Sequence, residues 1–201
     1  MSTTFWRIHG SPFTPWGDYG DILQHGMTSH LERTGGLLSL ERTGPYIPPI
    51  TFPGIDDIVV NAAARRLLES SGLTGFDFRP VHKALIVNLN WEDWDITADD
   101  PPEYPKSGEP EDYILERPHD AVIARQMGDV WELVIPMAAV VGRSSPKWSP
   151  SVEFWVEVSS WTGADLFRGE GLRAVLASEH ARLWLEEHLG EFVSFEEFKS
   201  K

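Results

Sequence analysis

The stretch from Ile58 to His82, "IVVNAAARRLLESSGLTGFDFRPVH", constrains the fold more than any other part of the chain. A β-branched run leads into Asn61, whose side-chain oxygen can accept from the unpaired N–H groups of a first helical turn. Ala64, Leu67, Leu68 and Ser71 then recur at helical spacing, with Arg65, Arg66 and Glu69 largely outside that face. Gly72 or Gly75 can take the positive φ that closes a helix. Phe76, Phe78 and Pro80 alternate with Asp77 and Arg79, the pattern of a half-buried strand that stops at its proline. The spacing therefore predicts a strand-helix-strand unit. A second is expected at 175–198, with Ser178 as N-cap, a helix from Glu179 to His188 and a closing strand around Phe192 to Phe195. Laid over 58–78 at an offset of 117, it aligns Ala64 with Ala181, Arg65 with Arg182, Leu68 with Leu185, Glu69 with Glu186 and Phe78 with Phe195. Such a match fits a duplication and fits two independent capped amphipathic helices equally well.

The remaining elements are placed around these units. Residues 1–57 are rich in Gly and Pro, which fix turns and remove backbone donors, and only Leu37 to Glu41 reads as a strand there. "KALIVNLNW" is expected to be a strand apolar enough to lie centrally in a sheet. "AVIARQMGDVWELVIP" reads as two strands around a turn at Gln126 to Asp129, and Val152 to Ser160 alternates as another strand. "WTGADLFRGEG" reads as a turn and an irregular segment. The expected fold is a single α+β domain, residues 1–201. It would have a mixed, mainly antiparallel sheet of about seven or eight strands and two principal helices packed on it.

Charge is unevenly placed. The segment 91–116, "WEDWDITADDPPEYPKSGEPEDYILE", holds ten acidic residues and one lysine, so it carries most of the chain's net charge of -14. Its prolines preclude a continuous helix, and it reads as a long excursion between strands. Trp91, Glu92, Asp93, Trp94, Asp95, Asp99, Asp100, Glu103, Tyr104, Glu109, Glu111 and Asp112 are the candidate partner-binding residues. Carboxylates steer association with a basic surface, and aromatic side chains supply local affinity. The bland alternative is a solvated acidic loop whose tryptophans turn into the core. A surface of this sign repels phosphate backbones and anionic lipid, so neither nucleic acid nor membrane is an expected partner.

Signatures of catalysis are missing. The chain lacks G-x-S-x-G, G-x-x-x-x-G-K-[ST], H-E-x-x-H and G-x-G-x-x-G. Having no cysteine, it has no disulfide, thiolate nucleophile or cysteine-ligated zinc. His9, His25 and His30 with Glu32 invite a metal reading, yet their spacing does not put two ligands on one helical face. Glu92, Asp93 and Asp95 are sequence neighbours, whereas paired glycosidase carboxylates need a defined separation across a cleft. Asp99 and Asp100 lack the ligand spacing of a calcium loop. No metal and no cofactor is expected. No run approaches the roughly 18 apolar residues of a membrane span, and the opening residues lack a signal-peptide pattern, so a cytoplasmic protein is expected.

"RTGPYIPPITFPG", "IVVNAAARRLLESSGLTGFDFRPV", "LNWEDWD", "SGEPEDYIL" and "WTGADLF" together resemble a group of bacterial proteins of unassigned activity. The unit at 58–82, together with the C-terminal unit, is similar to immunity proteins of polymorphic toxin systems, the nearest being the Imm11-like group and the myxobacterial double-CXXCG proteins. The zinc-ribbon character of the latter cannot be carried over to a chain without cysteine. The acidic segment, the absence of catalytic motifs and this resemblance together lead to the expectation of a non-enzymatic immunity or antitoxin-like protein that covers the active surface of a basic partner, such as a toxin domain, through the acidic, aromatic-bearing loop. Two alternatives stay open. One is a small-molecule-binding protein or hydrolase whose carboxylate and histidine site is assembled from the His-bearing N-terminal segment and the strand end at Trp91 to Asp95; the other is a scaffold that self-associates as a homo-oligomer.

Overall fold

The computed structural model describes residues 3–28, 33–147 and 149–201 and is of the α+β class. Its first half contains β1 (Phe5–Gly10), α1 (Asp18–His25), β2 (Met27–Thr28), β3 (Ser39–Gly44), β4 (Ile50–Thr51), β5 (Val59–Asn61), α2 (Ala62–Glu69), β6 (Asp77–Pro80) and β7 (His82–Asn88). Then come α3 (Asp112–Leu115), α4 (Ala121–Gln126), β8 (Val130–Val134), β9 (Met137–Arg143), β10 (Phe154–Val156), β11 (Leu166–Glu170), β12 (Val175–Ser178), α5 (Glu179–Leu189) and β13 (Val193–Phe198).

These strands form three sheets, ordered β10-β9-β11-β12-β1-β13, β2-β3-β7 and β4-β5-β8-β6. Pairing is antiparallel except between β9 and β11 and between β3 and β7. The six-stranded sheet closes on itself. Beyond β13 the chain runs parallel to β10, with the Val156 N–H donating to Lys199 O and the Lys201 N–H to Val156 O. Phe5, Ala138, Ala139, Val156, Phe167 and Leu176 form a buried cluster within it. A larger core, including Ile58, Val60, Ala64, Leu68, Val175, Ala177, Ala181 and Leu185, joins α2 and α5 to their sheets.

Local chemistry accounts for both helices. The Asn61 side chain accepts from the N–H groups of Ala63 and Ala64 at 3.0 and 2.9 Å, and Ser178 Oγ accepts from Ala181 N–H at 3.1 Å. Asn61→Ala should cost about 1 kcal/mol, read from chemical unfolding, because the first turn loses its acceptor. Leu67, expected on the inner face of α2, is 42% exposed, since the short helix docks on Ala64 and Leu68. Gly75 closes the unit with φ at 87°. A Cβ there would stand 2.1 Å from Leu166 O, so only glycine lets this turn meet β11.

Several expectations need correcting. Thirteen strands and five α-helices form among the described residues; β1, β2, β4, β9 and β11 go beyond the expected set, and of these only β2 and β4 are as short as two residues. The Gly-rich N-terminal stretch hides α1, which has Asp18 and Asp21 in its first turn, where the helix dipole favours carboxylates. The expected strand at 121–126 is α4, because Asp120 caps it by accepting from Val122 and Ile123 N–H groups. The strand near Leu37 runs instead from Ser39 to Gly44. Residues 152–160 hold only the short β10 and a 3-10 turn, and the "irregular" segment after them contains β11. The strand β7 is not central. It ends a sheet, and its outer edge is met by the Asp120 N–H donating to Ile86 O and by His119 Nδ1 accepting from Ile86 N–H.

Candidate protein-binding surface

The acidic excursion leaves β7 at Asn88, where the register with β3 ends. Its first apolar side chain then folds inward. Trp91 is only 1% exposed, with Phe13 and Tyr46 edge-on to its ring at 6.0 and 5.2 Å. Trp91 therefore cannot touch a partner and is withdrawn from the candidate set; a large apolar ring next to a sheet end gains more by burial than by exposure. Together with Trp16, Leu23 and Tyr113 it makes a small aromatic core, against which Trp94 and Ile96 are partly buried.

That core turns the excursion into an ordered element. Trp16 Nε1 donates to Ala98 O at 2.8 Å, Tyr19 Oη to Gly108 O at 2.6 Å, and Arg117 Nη2 to Glu103 Oε1 at 3.0 Å. Tyr113 Oη donates to Glu103 O, and burial raises its hydroxyl well above the ordinary tyrosine value. The Pro110 carbonyl accepts from Tyr113 N–H as α3 begins.

The carboxylates point the other way. Glu92, Asp93, Asp95, Asp99, Asp100, Glu103, Glu109 and Glu111 are exposed, and Asp112 and Trp94 are half-buried. Among the described residues only Glu103 of this segment has an ion pair, with Arg117. Asp95 is held below the usual carboxylate range by hydrogen bonds from the Thr97 side chain and backbone. Tyr104, 48% exposed, is the large aromatic of this face that reaches solvent, and its hydroxyl donates to Asp100 Oδ1 at 2.6 Å. The outcome divides the expected site by chemistry: acids outward, tryptophans inward.

The sequence reading missed the contribution of α1. Asp18 and Asp21 join Glu109 and Glu111 around a cleft of about 400 Å³, whose other walls are Ile22, His25, Gly26, Phe52 and Pro110. Burial, and then Asp18, raises the Asp21 carboxyl above its ordinary value. Burial, and then Arg42, lowers His25 to about 4, so its imidazole is neutral at pH 7. The signal available was "GDYGD", two aspartates at i and i+3 in one helical turn; nothing local announced that residues near 110 would face them. Trp91 to Asp95, expected to share a site with the N-terminal histidines, do not line this cleft. His30 and Glu32 lie outside the described residues.

Among the described residues, no three of His, Asp and Glu gather as metal ligands would, and no helix is long and apolar enough to cross a membrane. No family model matches the chain, and no curated protein matches it.

Proposed function

We propose that the protein is a cytoplasmic, non-enzymatic immunity or antitoxin-like protein that neutralises a basic partner through the face formed by the excursion and α1. The observation that carries this is a run of exposed carboxylates on an ordered scaffold, of which, among the described residues, only Glu103 has an ion pair. Residues that must order on binding lose affinity to entropy, whereas an anchored face meets its partner without that cost. Carboxylates from 92–112 and from α1 present one sign of charge, with Tyr104 available as an aromatic contact. Alkyl stems of arginine or lysine fit against Ile22, Phe52 and Pro110 while their charged ends meet Asp18, Asp21, Glu109 and Glu111.

Co-expression with the product of the adjacent gene tests the proposal. Growth should be rescued and a complex recovered; growth arrest without complex would remove the immunity reading. The variant Asp93→Lys, Asp95→Lys, Asp99→Lys, Asp100→Lys should associate at least about tenfold more slowly at low salt and lose much of its salt dependence. Unchanged stopped-flow rates would take the excursion out of the interface.

The cleft itself favours a second reading, a binding site for a small organic polycation, because converging carboxylates and a neutral imidazole line one cavity. Equilibrium dialysis with spermidine distinguishes the two, as saturable binding weakened by Asp21→Asn and Glu109→Gln requires no protein partner.

A further inference from the structure

The two sheets that share the large core follow one plan. In β4-β5-β8-β6 every neighbouring pair is antiparallel, so β5 and β6 run parallel with β8 between them and α2 crossing over. In β11-β12-β1-β13 the same order recurs, with β1 in the middle and α5 crossing over. Registers agree residue by residue. Val60 opposes Trp131 as Ala177 opposes Trp6; Phe78 opposes Leu133 as Phe195 opposes Ile8. At the edge, Ile50 opposes Val60 as Leu166 opposes Ala177.

The helices match in the same frame. At one offset, 117, the caps Asn61 and Ser178 coincide, and so do Ala64 with Ala181 and Leu68 with Leu185, all four of the latter buried in one cluster. Arg65 lies 3.8 Å from the Trp131 ring and pairs with Glu69; Arg182 lies 4.8 Å from the Trp6 ring and pairs with Glu186. Any helix docked on a sheet needs small and aliphatic inner residues. None needs an arginine over a tryptophan of the middle strand and a glutamate one turn later.

We infer that β1, β4, β5, α2 and β6 on the one hand, and β8, β11, β12, α5 and β13 on the other, are two copies of one structural unit with different insertions, and that the copies have exchanged their first strands. Each copy begins with its tryptophan-bearing strand: β1 precedes β4 to β6, and β8 precedes β11 to β13. In space β1 lies in the second sheet and β8 in the first. Charge at one register position selects the exchange. With each strand in its own copy, Arg7 would face Arg79 and Glu132 would face Glu196, like charges directly opposite in both sheets. Exchanged, Glu132 stands 3.8 Å from Arg79, and Arg7 faces Glu196. Glu132 also accepts from both Arg33 guanidinium nitrogens, at 2.8 and 2.7 Å, which deepens the preference for this sheet. The acidic excursion lies between the copies and belongs to neither.

Variants of the full chain test this. Ala62→Glu, Ala63→His, Arg66→Leu and Leu67→Trp give α2 the sequence of residues 179–186, because the other four positions are already identical. This graft should unfold cooperatively within about 4 °C of the parent and keep slow amide exchange in β5 and β6. The same replacement shifted by one residue, using the sequence of 180–187, should lose both. Equal behaviour of the two grafts would overturn the equivalence. For the charges, Arg7→Glu should lower Tm by about 3 °C, and adding Glu196→Arg should recover most of the loss. No recovery in the double variant would overturn charge selection of the exchange.

Discussion

Acidification from pH 7 to pH 4 is expected to cost the native state about 3 kcal/mol through His25 alone. The imidazole is buried beside Arg42, and both effects, burial first, lower it from 6.5 to about 4. In the unfolded chain it takes up its proton near 6.5, in the native protein only near 4. Unfolding therefore binds a proton throughout that window. The contribution is complete above pH 6.5 and is lost as the pH falls toward 4. His25→Gln is the comparison to make, because an amide oxygen can still accept from the Phe52 N–H, which His25 Nδ1 accepts at 3.3 Å, while removing the titration. Asp21 acts in the opposite direction: its raised carboxyl takes up a proton earlier when folded, so it gains stability on acidification. Since Asp21 and its neighbours Asp18, Glu109 and Glu111 are unchanged in the variant, subtracting the two urea-unfolding profiles isolates the histidine. Parallel profiles from pH 7 to pH 4 would show that His25 carries no such linkage.

Arg42→Ala should cost about 4 kcal/mol, enough to make the chain hard to recover folded. Arg42 is completely buried, and its guanidinium donates to three main-chain oxygens: Thr43 O at 3.1 Å and Gln24 O and Tyr46 O at 3.4 Å. Among the described residues it has no carboxylate partner, and Nη1 has no hydrogen-bond partner. Burial lowers it to about 9, so it remains charged at pH 7. Gln24 is in the last turn of α1, where carbonyl groups carry the negative end of the helix dipole, which offsets part of the buried charge. Truncation to alanine opens a cavity and strands three carbonyls at once. Arg42→Met fills the space and removes the desolvated charge, so most of the lost stability should return. Guanidinium unfolding of both variants separates volume from charge; equal losses would mean that the hydrogen bonds dominate.

Legibility from the sequence followed locality. The α+β class, the cap at Asn61, the helix after it and the strand that ends at Pro80 were readable because each rests on neighbours within a few residues. Helix α1 was hidden, since glycines at 17, 20 and 26 read as turn residues while the inward face of Leu23 is set by Trp16 and Trp91 from elsewhere. Charge in 91–116 was plain, but the direction of Trp91 depended on Phe13 and Tyr46, which reach it only in three dimensions. The cleft needed Asp21 and Glu109 from distant segments. The likeness of 58–78 to 175–195 is faint in letters because only the inner positions, the stacking arginine and its glutamate partner recur. The middle strands bearing Trp131 and Trp6 could not be placed at all without knowing which strands they join.

The position of β1 also sets the order in which the protein can be assembled. Its neighbours are β12 and β13, and contacts such as that of Trp6 with Glu179 span 173 residues. A ribosome adding roughly 5–20 residues per second leaves β1 without either partner for about ten to thirty seconds. The closed sheet therefore forms only after β12 and β13 have been made, and until then Phe5 and Ile8 depend on transient cover. In pulse-labelled nascent chains, protease resistance of the β1 segment should appear only after β13 has been made, later than that of β2-β3-β7 and β4-β5-β8-β6.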